Sequence, residues 1–239
     1  MKISKMQLIR TLCQTLFLIL LIVGIYSQLR SVLFVFIVLP LIVGNFFCGW
    51  ICPFGCVQDW LGKISGIFIK NKIKMPYSVQ KYMQFARYIL AIIALLNILP
   101  TSIPINAYMT FMQFATGEEV QLAGIIIMGS FLLISLIFDR PFCNYFCSEG
   151  IKYGIASLTR FFGIKRSEYQ CVNCKKCDKA CPMNIEVSNR SQVRNAQCIN
   201  CFKCIDTCPK KDTLKFGRMK FNLRSAQKNQ ETTTNNSER

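Results

Sequence analysis

Histidine is absent from all 239 residues, and acids are scarce: 12 Asp or Glu stand against 29 Lys or Arg, a formal net charge of +17. The first absence excludes bis-histidine haem, histidine-ligated zinc and Rieske-type clusters together. It also removes the usual proton acceptor near neutral pH. Lys and Arg are themselves missing from residues 88–139. Bases clustered in this way point to membrane topology or surface attraction, not to a nucleic-acid patch.

Apolar residues and cysteine are plentiful. The chain is 52% hydrophobic with a mean hydropathy of +0.32, which favours a membrane class over a soluble domain. Four apolar stretches, 10–27, 31–48, 84–100 and 121–139, approach the roughly 20 residues that cross a bilayer as helix. The basic start MKISKMQLIR is read as a retained anchor, since no small-residue cleavage site follows it. Lys2, Lys5 and Arg10 precede the first stretch; further bases lie between the second and third and after the fourth. The positive-inside rule then puts both termini in the cytoplasm of a multi-pass protein of the bacterial inner membrane, with lipid as its surroundings. Loop 101–120 falls on the outer side.

Composition changes after Ile164. Residues 165–224 hold 14 Lys or Arg, 5 acids and 8 of the 14 cysteines. The division expected is a transmembrane domain at 1–164, a small cysteine-rich domain at 165–216, and a polar, disordered tail at 217–239. The middle segment has little apolar material, and a bound metal commonly stabilises so small a domain.

Two runs define it: Cys171-x-x-Cys174-x-x-Cys177-x-x-x-Cys181-Pro182 and Cys198-x-x-Cys201-x-x-Cys204-x-x-x-Cys208-Pro209. This spacing wraps three thiolates round one [4Fe–4S] cube and sends the fourth to the other. Cluster one is expected on Cys171, Cys174, Cys177 and Cys208; cluster two on Cys198, Cys201, Cys204 and Cys181. Paired four-cysteine zinc sites are the alternative, which two complete runs with both prolines disfavour. The segment resembles bacterial two-cluster ferredoxins, but it is basic where those are usually acidic. Such a charge suits an acidic protein partner or the anionic inner membrane surface.

A second pair of motifs lies in the apolar part. Cys48-Gly-Trp-Ile-Cys52-Pro-Phe-Gly55 aligns without gaps on Cys143-Asn-Tyr-Phe-Cys147-Ser-Glu-Gly150. The repeat suggests a duplicated unit of two spans, a CxxxC and an amphipathic helix near 57–69 or 150–162. The fold class expected is therefore an all-α membrane four-helix bundle, a duplicated two-helix unit, with a small α+β 2[4Fe–4S] ferredoxin-like domain. On a helix, each CxxxC would put both thiols on one face. Cys48, Cys52, Cys143 and Cys147 would then ligate a metal or an additional centre, act as reversible dithiols, or pack as small apolar residues. Cys13 is read as packing; Cys56 is left open.

The set CGWICPFG, a second CxxxC, four spans and a ferredoxin pair is similar to the NapH-type proteins of nitrate-reductase systems and to the NosR and FixG/RdxA/CcoG relatives, over about residues 10–210. Family members usually carry CxxxCP twice, and Ser148 departs from that pattern. The resemblance implies electron transfer between the quinone pool and a terminal reductase, with an iron–sulfur or reductase partner. Without histidine this chain offers no haem, so electrons would enter or leave through a mobile quinone or a partner subunit, or stay on the cytoplasmic side. Trp50, Tyr145 and Trp60 are candidates to flank a quinone ring, and Glu118 and Glu119 to accept its protons. Interfacial aromatics and a solvated loop end are the plainer readings. A second function class is metal reduction or oxidase maturation on the CxxxC thiols, since thiolates suit Cu(I).

Overall fold

A computed structural model describes residues 4–22, 40–68, 73–95 and 107–219. Helix α1 (Lys5–Ile22) lacks Gly and Pro and is rich in Leu, a strong helix former. Among the described residues it is the one helix long and apolar enough to cross a membrane, 18 residues at a mean hydropathy of 1.5. The second expected span lies outside the described residues as far as position 39, and the chain then bends at Asn45 before α2 (Phe47–Trp50). Gly44 takes a left-handed φ of 87°, where a Cβ would also meet the Arg160 side chain.

Pro53 opens α3 (Pro53–Phe68), a position where its missing N–H leaves no bond unmade. Helix α4 (Tyr77–Leu95) overlaps the third expected span. Helices α5 (Ala107–Thr116) and α6 (Leu122–Ile134) follow, and the 13 residues of α6 cover only part of the fourth. Next come α7 (Pro141–Tyr145) and α8 (Glu149–Ala156), which ends in a 3-10 turn at Ser157–Thr159. Helix α1 packs on α2, α3 and α5; α6 packs on α5 and α7; α4 packs on α7. Many apolar side chains stay exposed, among them Leu12, Leu16 and Ile19 on α1, Ile67 and Phe68 on α3, and Ile126 and Leu133 on α6. Continuous apolar faces of this kind mark contact with lipid or protein.

The cysteine-rich part is framed by an antiparallel pair, β1 (Phe162–Arg166) and β2 (Leu214–Arg218), in register from Phe162 opposite Arg218 to Arg166 opposite Leu214. Helices α9 (Lys176–Ala180) and α10 (Lys203–Thr207) pack together inside this frame. The frame reaches beyond the expected limits of 165 and 216, and Met219 is buried. The rest of the polar tail, 220–239, lies outside the described residues.

Two cores result. One gathers Ile164, Val187, Val193, Ile199 and Leu214 with cysteines of both runs; the other gathers Phe47, Trp50, Phe54, Met128 and Phe142. Phe202, from the second run, belongs to the latter, and Cys48 packs against both. The seam between them depends on a missing side chain. A Cβ on Gly49 would lie 2.1 Å from the Ile199 carbonyl oxygen, a backbone atom with little room to yield. Beside it the Trp50 indole N–H donates to the Asn200 carbonyl at 3.1 Å, and Asn200 Nδ2 donates to the Val43 carbonyl at 2.6 Å. Gly49→Ala is therefore expected to separate the two halves locally and to cost about 1–3 kcal/mol, as overpacking does. Thermal unfolding of the full chain in detergent checks this; an unchanged midpoint would mean that the seam is not tightly closed.

Candidate metal centres

The two cysteine runs fold alike. In the first, Asn173 and Lys175 take left-handed φ values of 55° and 53°; in the second, Asn200 and Phe202 take 47° and 57°. Asn tolerates this region, whereas Lys and bulky Phe are held in it at a cost. Alternating left- and right-handed residues turn successive backbone N–H groups toward one side, the concave arrangement common at iron–sulfur and anion sites. A single short helix carries the third cysteine of each run, Cys177 in α9 and Cys204 in α10. The fourth cysteine then adopts extended backbone, φ −74° and ψ 115° at Cys181, φ −67° and ψ 123° at Cys208. Pro182 and Pro209 impose this, because proline drives the preceding residue out of the helical region. The fourth thiol leaves its own run for that reason.

Two cavities lie between the runs. One, about 370 Å³ including space open to solvent, is lined by Cys171, Cys174, Cys177 and Cys208. The other, about 330 Å³ and likewise including space open to solvent, is lined by Cys181, Cys198, Cys201 and Cys204, with Ile164, Met183 and Val193 as its apolar wall. Cys174 is exposed, whereas Cys198, Cys201 and Cys204 are buried. The first cavity therefore faces solvent and the second faces the apolar half.

The donor set fits an iron–sulfur cube better than single ions. A tetrahedral zinc site brings sulfurs within about 2.3 Å of one metal. Among the described residues, no three Cys, Asp or Glu side chains converge in that way. The eight thiols instead line two spaces between the runs, four to each. Burial, then repulsion from Cys201 and Cys198, pushes the Cys181 thiol up to about 12. Four thiolates crowded in an apolar pocket need cationic iron to hold them deprotonated. The Ile185 N–H donates to Cys181 Sγ at 3.4 Å. Cys171, by contrast, is held below the ordinary thiol value by the Asn173 N–H and by Arg166. The loop between the runs is tied by Asp178, which accepts from the Val187 N–H at 2.6 Å and the Ser188 N–H at 2.8 Å.

The CxxxC pairs differ from the continuous helix expected of them. Cys48 lies in α2 and Cys143 in α7, but both helices end before the second cysteine of the pair. In each repeat that cysteine's N–H reaches back five residues, Cys52 to the Phe47 carbonyl and Cys147 to the Phe142 carbonyl, both at 3.0 Å. The duplication thus extends to individual hydrogen bonds. Cys52 and Cys147 are buried in one apolar core with Cys48 against it, and Cys143 is half-buried. Cys56 is fully buried, beside Asp59, and Cys13 packs against the apolar core.

Trp50 and Tyr145 are buried, and Trp50 stacks on Phe46 at 4.7 Å. Trp60 is partly exposed; Glu118 and Glu119 are exposed.

Sequence reasoning missed the group that holds α2 in place. Asp59 is buried and accepts from Arg10 Nη2 at 2.5 Å, Arg140 Nη2 at 2.6 Å and Gln14 Nε2 at 3.1 Å. Burial would raise its carboxyl, but Arg140 and Arg10 hold it well below the usual carboxylate range. The same side chains grip the motif: Arg10 Nε and Gln14 Nε2 donate to the Gly49 carbonyl at 2.9 Å, and Arg140 Nη1 to the Cys48 carbonyl at 2.8 Å. The signal was in the chain, since Asp59 is the sole acid before Glu118.

Because its carboxyl is depressed, Asp59 stabilises the fold above the ordinary carboxylate range and loses that contribution only as pH falls through its lowered folded value. Asp59→Asn leaves two buried guanidiniums uncompensated and is expected to cost about 3–5 kcal/mol. Denaturant unfolding near pH 7 measures it; a loss below about 1 kcal/mol would place the network in solvent.

Comparison with known proteins agrees with this duplication. A family described as a 4Fe-4S binding domain matches the chain twice, at 29–76 and 120–165, once round each CxxxC. A 4Fe-4S dicluster domain family matches 159–222. The MJ0750 protein of Methanocaldococcus jannaschii is 32% identical over 207 residues, 78% of this chain and 87% of that protein. The methylamine utilization ferredoxin-type protein MauN of Methylorubrum extorquens is 27% identical over 148 residues, 58% of this chain and 47% of its own. The regulatory protein NosR of Pseudomonas aeruginosa is 22% identical over 142 residues, 56% of this chain and 20% of its own. No solved structure matches the chain.

Proposed function

This chain belongs to the ferredoxin-type iron–sulfur family that includes the MJ0750 protein, and from that premise we propose that it carries electrons within a membrane between the quinol pool and a respiratory reductase, of the nitrate-reductase kind, through two [4Fe–4S] clusters. The observation that carries this reading is the crossed lining of the two cavities, three cysteines from one run and the fourth from the other. Cys171, Cys174, Cys177 and Cys208 would hold one cluster; Cys198, Cys201, Cys204 and Cys181 the other. When bound, such clusters accept and release one electron each at potentials set by sulfur hydrogen bonds and exposure. The chain supplies those differences. The first site is open and ringed by bases such as Arg166, Lys175 and Lys210, as suits docking of an acidic iron–sulfur or reductase partner. The second is walled by aliphatic side chains, and three of its four cysteines are buried.

Membrane embedding is supported by α1 and by the exposed apolar faces of α3 and α6. In the proposed topology four spans cross the bacterial cytoplasmic membrane with both termini inside, and quinol approaches near the CxxxC motifs. Trp60, partly exposed on α3, is the aromatic best placed to meet a quinone ring; Trp50 and Tyr145 are occupied in packing.

Anaerobic full-length protein in lipid vesicles, reduced with a menaquinol analogue and read by EPR, tests the reading. Cubane signals should develop on quinol addition, and Cys174→Ser should abolish the signal of the exposed site alone. Two zinc ions and no iron would sink the cluster assignment; reduction by dithionite but never by quinol would sink the quinol step.

A further inference from the structure

The stretch that leads into α4 is docked on the cysteine-rich half. Asn184 Nδ2 donates to the Met75 carbonyl at 2.9 Å, Gln80 Nε2 to the Asn184 carbonyl at 3.2 Å, and Gln84 Nε2 to Gln197 Oε1 at 2.6 Å. This seam fixes a cation. Lys74 Nζ donates to the Cys181 carbonyl at 2.7 Å and to the Asp178 carbonyl at 2.9 Å. Bond lengths within Cys181 then keep the ammonium no more than about 8 Å from that residue's sulfur. Cys181 is the cysteine that the first run contributes to the cavity of Cys198, Cys201 and Cys204.

A second cation stands behind the wall of the same cavity. Arg160 follows the 3-10 turn at Ser157–Thr159 and is fully buried. Its Nη2 donates to the carbonyl of Val193, a residue that lines the cavity. Its Nη1 lies beside the Asn200 amide, since a Cβ on Gly44 would be 2.9 Å from each. Asn200 in turn stands between Cys198 and Cys201. The Nε and Nη1 of Arg160 are buried and meet no acceptor among the described residues.

Neither cation has a carboxylate of its own. The ion pairs among the described residues join Arg10 and Arg140 to Asp59, Arg166 to Glu168 and Lys215 to Asp212, and none includes Lys74 or Arg160. A buried guanidinium without a counter-charge is costly. A cation at a helix C-terminus is favoured on its own account, which covers Lys74 at the end of α9 but not Arg160, whose carbonyl partner lies outside any helix. Both cations adjoin the one place where negative charge would collect. A cube on four thiolates is an anion, reduction makes it more so, and net charge is among the factors that set its potential. The bases Lys175 and Lys210 at the other site are exposed, and salt screens such charges. Arg160 has no solvent beside it and Lys74 is half-buried, so their fields act through a lower effective dielectric.

We propose that Lys74 and Arg160 set the reduction potential of the cluster held by Cys181, Cys198, Cys201 and Cys204: as fixed cations they favour its reduced, more negative form. They are positioning residues that act on the cluster through their charge, one supplied by the stretch before α4 and one by the turn after α8. The inference rests on the iron–sulfur reading above but not on its quinol or membrane steps.

The test is an EPR-monitored redox titration of anaerobically prepared full-length protein, in about 0.5 M salt so that exposed charges are screened. Cys174→Ser identifies the signal of the exposed site. Lys74→Met should move the reduction equilibrium of the buried cluster toward the oxidised form by about tenfold, about 59 mV for a one-electron couple, and should move the exposed cluster less. Lys74→Arg keeps the charge and should restore the parent potential. Arg160→Met should shift the buried cluster in the same direction as Lys74→Met. Lys179→Met, which removes an exposed base from the same end of α9, should not. Lower stability in Lys74→Met with an unmoved potential would mean capping alone and overturns the proposal, as does a potential that stays low in Lys74→Arg. In both cases the cluster reading stands; a parent protein without iron overturns both. Should Arg160→Met fail to fold, the two Lys74 variants decide.

Discussion

The backbone of Gly49 lies against the Ile199 carbonyl, and much of the molecule's organisation follows from that contact. It joins the turn between two cysteines of the apolar half to the turn between two cysteines of the ferredoxin-type half. No side chain larger than hydrogen fits there. The Trp50–Asn200 and Asn200–Val43 hydrogen bonds close the seam on either side, and the Asp59 network clamps the Cys48 and Gly49 carbonyls from behind. Buried ion pairs of this kind add modest net stability, but they tolerate few alternative arrangements once formed. The cysteine-rich part is thus built into the helical part and is not a tethered appendage.

A graded path results. The set containing the exposed Cys174 meets solvent among basic side chains. The set containing Cys204 is lined by aliphatic residues, and three of its cysteines are buried. Exposure falls and apolar surroundings increase from the first set to the second, and both are among the factors that separate the potentials of otherwise alike clusters. Geometry and gradient come from the chain itself: proline after each fourth cysteine, left-handed residues within each run, and glycine at position 49.

The parts of this arrangement readable in the sequence were those with a fixed local code. Cysteine spacing with a following proline encodes the crossing, because the proline's steric effect acts on its immediate neighbour. The CxxxC repeat was visible as an ungapped alignment. The shape of its turn was not: the five-residue hydrogen bonds at Cys52 and Cys147 depend on how α2 and α7 end. Also hidden was the Asp59 network, which joins residues 49 and 81 positions apart, although its acid stood alone among the first 117 residues. Hydropathy marked four stretches, of which α1 alone, among the described residues, is long and apolar enough to span a membrane.

The claim on which the account turns is that crossed cysteine sets hold iron. Anomalous scattering at the iron edge from anaerobically grown crystals of the full chain addresses it directly. The account predicts iron density within the cavity of Cys171, Cys174, Cys177 and Cys208 and within that of Cys181, Cys198, Cys201 and Cys204. Density only at the zinc edge, or iron bonded to four cysteines of a single run, would contradict it.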